Sequence, residues 1–223
     1  MARPQDLLSD PRLREEIRHL RPSRALWLDR LLTVDEYYQL VDEDSNVELV
    51  DGVIIMPSPT TIPHEELFGW LHRVLGSYTE VRQIGRVYGS RTAVRIGLRT
   101  AREPDVLFVR HEHMDRLREQ EIVGPPDLVI EIVDSIRARR EALVDQAQYE
   151  ELGVPELWMI DLPRRALRVF DLGSEGLYIE RGVDPEGEAE VRAMPGLRLQ
   201  VAWLWQGPDF PPAFSVVQEL LGR

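Results

Sequence analysis

Two carboxylates stand where a buried strand would not place them for stability. Glu103–Arg110 (Glu-Pro-Asp-Val-Leu-Phe-Val-Arg) and Pro125–Asp134 (Pro-Pro-Asp-Leu-Val-Ile-Glu-Ile-Val-Asp) carry runs of branched apolar residues, each opened by proline. Proline fixes φ and suits a strand's first position, so both stretches are expected to be buried strands. Asp105 lies at the mouth of the first and Glu131 inside the apolar run of the second. Burying a polar group without a partner costs about 2–7 kcal/mol and a charge costs more, so each acid requires a partner. One candidate is a hard divalent cation, Mg²⁺ or Mn²⁺, held by Asp105, Glu131 and the backbone carbonyl of Ile132. Such an ion polarises a phosphodiester and lowers the pKa of a bound water. The plainer alternative is that Asp105 caps a turn after Pro104 and Glu131 pairs with an arginine.

Two further residues are candidates. Glu48 alternates with Val47 and Leu49, which puts it on the opposite face of its strand, as a supporting base, a metal ligand or an exposed strand carboxylate. His64, in Pro-His-Glu-Glu at a helix start, could bind a phosphate, orient a water or serve as a first-turn polar residue. Other chemistries have no motif here: there is no Gly-rich phosphate loop, no His-Glu-x-x-His and no Gly-x-Ser-x-Gly.

The elements that must position these residues follow from local signals. Asp6–Leu32 is expected to be a polar, arginine-rich helical arm broken at Pro11 and Pro22. Thr33 opens the next helix with Glu36 in a capping box, and this helix is expected to end near Asp44–Asn46. Asp51-Gly52 between apolar runs predicts a hairpin. After the Pro57–Pro63 break, Leu67, Phe68, Leu71, Val74 and Leu75 form one helical stripe behind His64. Arg86–Ile96 is expected to be one long strand. Arg137–Leu152 is expected to be a helix closed by Gly153, followed by a strand at Val154–Asp161. Arg165–Leu172, Leu177–Arg181 and Glu190–Leu204 are expected as antiparallel strands, then a loop at Pro208–Pro212 and a helix at Ala213–Leu221. Strand–helix–strand around 126–161 requires a crossover, so the class is α/β (or α+β) with a mixed central sheet flanked by helices and a β-rich C-terminal extension. The expected division is an arm over 1–32, a main domain over 33–205 and a tail over 206–223.

Composition bounds the function. The 223 residues, 43% hydrophobic and 30% charged, suit one sizeable globular domain. No cysteine is present, which excludes disulfides and thiolate metal sites. No long apolar run or signal-like start occurs, so a cytoplasmic location and no membrane association are expected. A net charge of −12 argues against a protein living by non-specific phosphate attraction. All 27 cationic Lys/Arg side chains are arginine.

The succession Glu-Leu-Val-Asp-Gly-Val-Ile-Ile-Met-Pro-Ser-Pro-Thr…His64, then Pro104-Asp105, then Pro126-Asp127-Leu-Val-Ile-Glu131, then Tyr149…Gly153-Val-Pro-Glu-Leu-Trp-Met-Ile-Asp161 resembles the Uma-type restriction endonuclease family. That family is similar to the PD-(D/E)XK nucleases. The resemblance, over about residues 33–172, implies a restriction-endonuclease-like core, Mg²⁺ (or Mn²⁺), DNA as substrate and a possible homodimer. It implies Asp105 and Glu131 as metal ligands, with Glu48 and His64 as supporting active-site residues.

The chain departs from the family pattern at two points. Asp134-Ser-Ile-Arg137 replaces the usual Ser-Pro-Ser-Thr, and the lysine four residues before the tyrosine is Asp145 here. Losing such a cation commonly costs on the order of 10²–10³ in rate. Arg137, Arg139 or Arg140 could supply charge instead, or Asp145 could join Asp105 and Glu131 around a second metal. The expected activity is therefore Mg²⁺-dependent hydrolysis of DNA phosphodiesters. The alternative is a catalytically degenerate nuclease fold that binds DNA or protein.

Overall fold

A computed structural model describes residues 25–26, 28, 30–41, 45–89 and 91–222. They divide into two compact units: residues 25–59 with 93–103, and residues 60–92 with 104–222. Among the described residues no helix is long and apolar enough to cross a membrane.

The first unit contains strand β1 (Ala25–Leu26), helix α1 (Val34–Leu40), and strands β2 (Glu48–Val50), β3 (Val53–Ile55), β5 (Ala93–Arg95) and β6 (Ala101–Arg102). Its strands follow the order β1-β3-β2-β6-β5, with antiparallel pairing. Thr33 and Glu36 form the predicted capping box, each side chain accepting the other's backbone N–H. The β2–β3 hairpin turns at Asp51 and Gly52, with φ of 51° and 80°. Positive φ at both central residues matches the right-handed strand twist, which is why the Asp-Gly pair is readable from sequence. A Cβ on Gly52 would also stand 2.6 Å from Leu31 Cβ. Leu32, Val34, Tyr37, Leu40, Leu49 and Ile54 form the core of this unit.

Two expectations fail here. Ala25–Leu26 is a strand rather than the end of a helical arm, because it pairs with Ile55 and Ile54, distant partners that override local helical pattern. The arm expected before it lies outside the described residues. Helix α1 stops at Leu40 rather than near Asp44–Asn46, because Val41 is already extended, with ψ of 151°.

The second unit is built on a mixed six-stranded sheet in the order β12-β11-β10-β9-β7-β4. Its strands are β4 (Gly85–Gly89), β7 (Val106–Arg110), β9 (Leu128–Val133), β10 (Glu156–Asp161), β11 (Ala166–Leu172) and β12 (Tyr178–Arg181). Only β9 and β10 pair in parallel, and the crossover between them is helix α3 (Ile136–Leu152), as expected. Helix α2 (Ile62–Arg82) lays Leu67, Leu71, Val74 and Leu75 on the sheet face presenting Val106, Phe108, Leu128, Ile130 and Trp158. Helix α4 (Ala213–Leu221) adds Val216, Val217 and Leu220 to the same core. A 3₁₀ segment (His111–Arg116) and a reversal in which Leu117 bridges Ile122 lead into β8 (Glu121–Val123).

The run Arg86–Ile96 is two strands, β4 and β5, belonging to different units; Arg91 between them takes φ of 70°, which no strand residue adopts. Glu190–Leu204 is likewise not one strand. It forms a small hairpin, β13 (Glu188–Glu190) and β14 (Arg198–Gln200), turned at Gly196 and followed by a 3₁₀ segment (Val201–Trp205).

One further acid lies fully within the core. Glu156, 2% exposed, accepts hydrogen bonds from Trp158 Nε1, Arg181 Nη2 and the backbone N–H groups of Arg192 and Ala193 at 2.7–3.2 Å. A charged group is tolerated in a core when it is satisfied in this way.

Candidate active site

Strands β7 and β9 run antiparallel with Val106 opposite Ile130. Carried one step past the ladder, that register brings Asp105 level with Glu131. Side chains alternate along a strand, so Glu131 falls on the sheet face opposite the Val106–Ile130 core, the face that α3 covers, while Asp105 lies in the bend just before β7, at the sheet end. The ladder is closed at this end by a side chain: Ile132 N–H donates to Asp105 Oδ2 at 2.7 Å. Glu131 takes the hydroxyl of Tyr149, from α3, on Oε1 at 2.6 Å.

His64 reaches Asp105 from the second residue after Ile62 on α2. Its Nε2 lies 3.1 Å from Asp105 Oδ1, and since a carboxylate only accepts, Nε2 carries the proton. Nδ1 is buried, with Glu65 Oε1 at 3.3 Å but outside hydrogen-bond geometry. Burial opposes charge on His64. The hydrogen bond to Asp105 and the negative charges of Asp105, Asp134 and Glu65 outweigh it, so its pKa lies above the ordinary imidazole value. Asp134 also accepts the Thr61 N–H at 3.0 Å, tying the start of α2 to the end of β9.

The other candidates are placed as follows. Asp145 is half-buried on α3, one turn before Tyr149 and therefore on the same helix face. Of the arginines in the first turns of α3, Arg137 pairs with Glu141 at 2.8 Å, and Arg139 forms a two-pronged bond to Asp161 at 2.6 and 2.8 Å. Arg140 is exposed. Glu48 belongs to the first unit, in β2, where its Oε2 lies 3.4 Å from Arg102 Nη1. Asp105, Glu131, Ile132 and His64 are thus gathered within one unit.

Sequence reasoning passed over Tyr149 except as a landmark. The available signal was a bulky aromatic with a polar tip on an otherwise charged helix: Ala142 and Tyr149 are the buried residues of α3.

Among the described residues no three His, Cys, Asp or Glu side chains converge as a metal-ligand set. The site offers two carboxylates and backbone oxygen instead. That donor set fits Mg²⁺, which is commonly held by one or two carboxylates and keeps several waters.

The fold is shared with known proteins. A putative nuclease belonging to DUF820 from Anabaena variabilis superposes with a TM-score of 0.64 at 20% identity, over 78% of this chain and 97% of that one. A search of curated proteins finds no match. The family model Uma2, described as putative restriction endonuclease, matches residues 34–202 and so spans β7, β9 and α3 with every acid placed above. With the mixed sheet and its flanking helices in the same arrangement as a nuclease fold, the chain belongs to the Uma2 restriction endonuclease family.

Proposed function

We propose that this nuclease hydrolyses DNA phosphodiester bonds with a divalent cation, Mg²⁺ or Mn²⁺, held by Asp105 and Glu131 with the Ile132 carbonyl. The observation that supports the reading is a pair of carboxylates at the same end of adjacent strands β7 and β9, with Asp105 fixed by the Ile132 N–H at 2.7 Å. When bound, the cation supplies positive charge beside the phosphodiester and acidifies a coordinated water. The chain's own residues do the positioning. His64 holds Asp105 Oδ1, while Asp134 anchors the start of the helix that carries His64. Asp145, half-buried on α3, stands where the family has lysine and adds carboxylate rather than cationic charge to that helix face.

A second reading rests on the missing cation. The chain has no lysine, and Arg137 and Arg139 are engaged with Glu141 and Asp161. The fold would then bind DNA or protein without efficient cleavage. Plasmid cleavage with Mg²⁺ or Mn²⁺, using Asp105→Ala and Glu131→Ala as controls, separates the two. Cleavage by wild type that both substitutions abolish supports the nuclease reading. Equal behaviour of all three proteins overturns catalysis at this site.

A further inference from the structure

We propose that Tyr149 is the positioning residue for Glu131: its hydroxyl, delivered by α3, sets the orientation of the carboxylate. This deepens the nuclease reading and rests on it. Tyr149 is 1% exposed, and its O–H donates to Glu131 Oε1 at 2.6 Å. An O–H bonded to an ionised carboxylate at that length is among the stronger and more directional hydrogen bonds in proteins. A glutamate has three side-chain torsions to fix, and Glu131 is only half-buried on its strand. The hydroxyl removes that freedom before a ligand arrives, as outer partners of metal-binding carboxylates do.

The helix delivering the hydroxyl is itself pinned. Ser135 Oγ accepts the Ala138 N–H at 3.1 Å and caps its start. The Arg139–Asp161 fork ties the first turn to the end of β10. At the other end Gly153, with φ of 88°, donates its N–H back to Tyr149 and Glu150 carbonyls. Tyr149 therefore sits immediately before a fixed helix terminus rather than on a loose segment. One turn earlier on the same face stands Asp145 instead of a cation, and the Tyr149 hydroxyl is a neutral group that orients a carboxylate without neutralising its charge.

A merely structural role would satisfy the buried hydroxyl and nothing more. Isothermal titration with Mn²⁺ and thermal melting of the full chain separate the roles, comparing wild type, Tyr149→Phe, Glu131→Gln and the double variant. Phenylalanine keeps the ring in its packing. The expected result is Mn²⁺ binding weakened about ten- to a hundredfold in Tyr149→Phe, and no further loss when the change is added to Glu131→Gln. Wild-type Mn²⁺ affinity in Tyr149→Phe overturns the proposal. Absence of Mn²⁺ binding by wild type overturns the metal reading instead. In either case additive melting shifts in the double variant show that the two side chains do not act on one another and end the proposal.

Discussion

Asp105 and Ile132 are joined across two strands by one bond, Ile132 N–H to Asp105 Oδ2 at 2.7 Å, so a carboxylate takes the place of the next backbone acceptor in the ladder. The side chain assigned to chemistry therefore also holds the sheet end together.

Removing the charge and removing the acceptor should separate these two duties. Asp105→Asn keeps an oxygen for the Ile132 N–H but turns an amide NH2 toward the His64 Nε2–H, so it should melt between wild type and Asp105→Ala, while losing cleavage on the order of a hundredfold or more. Asp105→Ala should lose both, with a further stability cost of about 1–3 kcal/mol for the orphaned N–H. Plasmid cleavage and denaturant titration of the two variants check this, and equal stability of both would refute the structural duty.

Asp145→Lys restores the sign of charge that the family places before its tyrosine. Cleavage in Mg²⁺ is expected to rise, by up to about 10²–10³ if the ammonium reaches the phosphate. Initial rates on supercoiled plasmid measure it. No gain would mean that Asp145 is not the equivalent position.

Acid should weaken the first unit through Glu36. Its hydrogen bond to Arg30 is the largest influence, aided by the Thr33 N–H, and together they outweigh partial burial and hold its pKa at about 2 against an ordinary 4.5. A folded-state pKa below the unfolded one means stability that is full above about 4.5 and lost as pH falls toward about 2. Unfolding curves of wild type and Glu36→Gln between those limits should converge as pH drops. Thr33→Ala should cost about 1 kcal/mol at any pH in that range through the lost cap.

Glu156→Ala should destabilise the second unit by about 1–3 kcal/mol, because it orphans the Arg192 and Ala193 N–H groups and the Trp158 indole while Arg181 keeps Asp171. Glu156→Gln, which keeps an acceptor, should cost less. Chemical denaturation followed by tryptophan fluorescence provides the comparison, with Trp158 bonded directly to Glu156 at 2.9 Å.

What could be read from sequence was what is local. The Thr33–Glu36 box, the Asp51-Gly52 turn, the Gly153 cap and the strand–helix–strand crossover each depend on residues a few positions apart. The two apolar strands with their acids were legible for the same reason. What escaped depended on partners far along the chain. Ala25–Leu26 is a strand because of Ile54–Ile55, and β4 and β5 separate because each pairs within a different unit. Glu156 was hidden by apolar neighbours, since its arginine lies 25 residues later. Tyr149 could be counted from, but nothing local says that its hydroxyl ends on Glu131, 18 residues earlier.

The division into units has a practical consequence for anyone wishing to work with less than the whole chain. The backbone passes between them three times, after residues 59, 92 and 103, so neither is a contiguous segment. A fragment beginning at Thr60 would carry residues 93–103 as a loop cut off from Leu49, the residue that Ala101 pairs with. That loop would end directly before Pro104 and Asp105. Trimming this protein from its N-terminus would therefore leave the segment that leads into Asp105 without its strand partner.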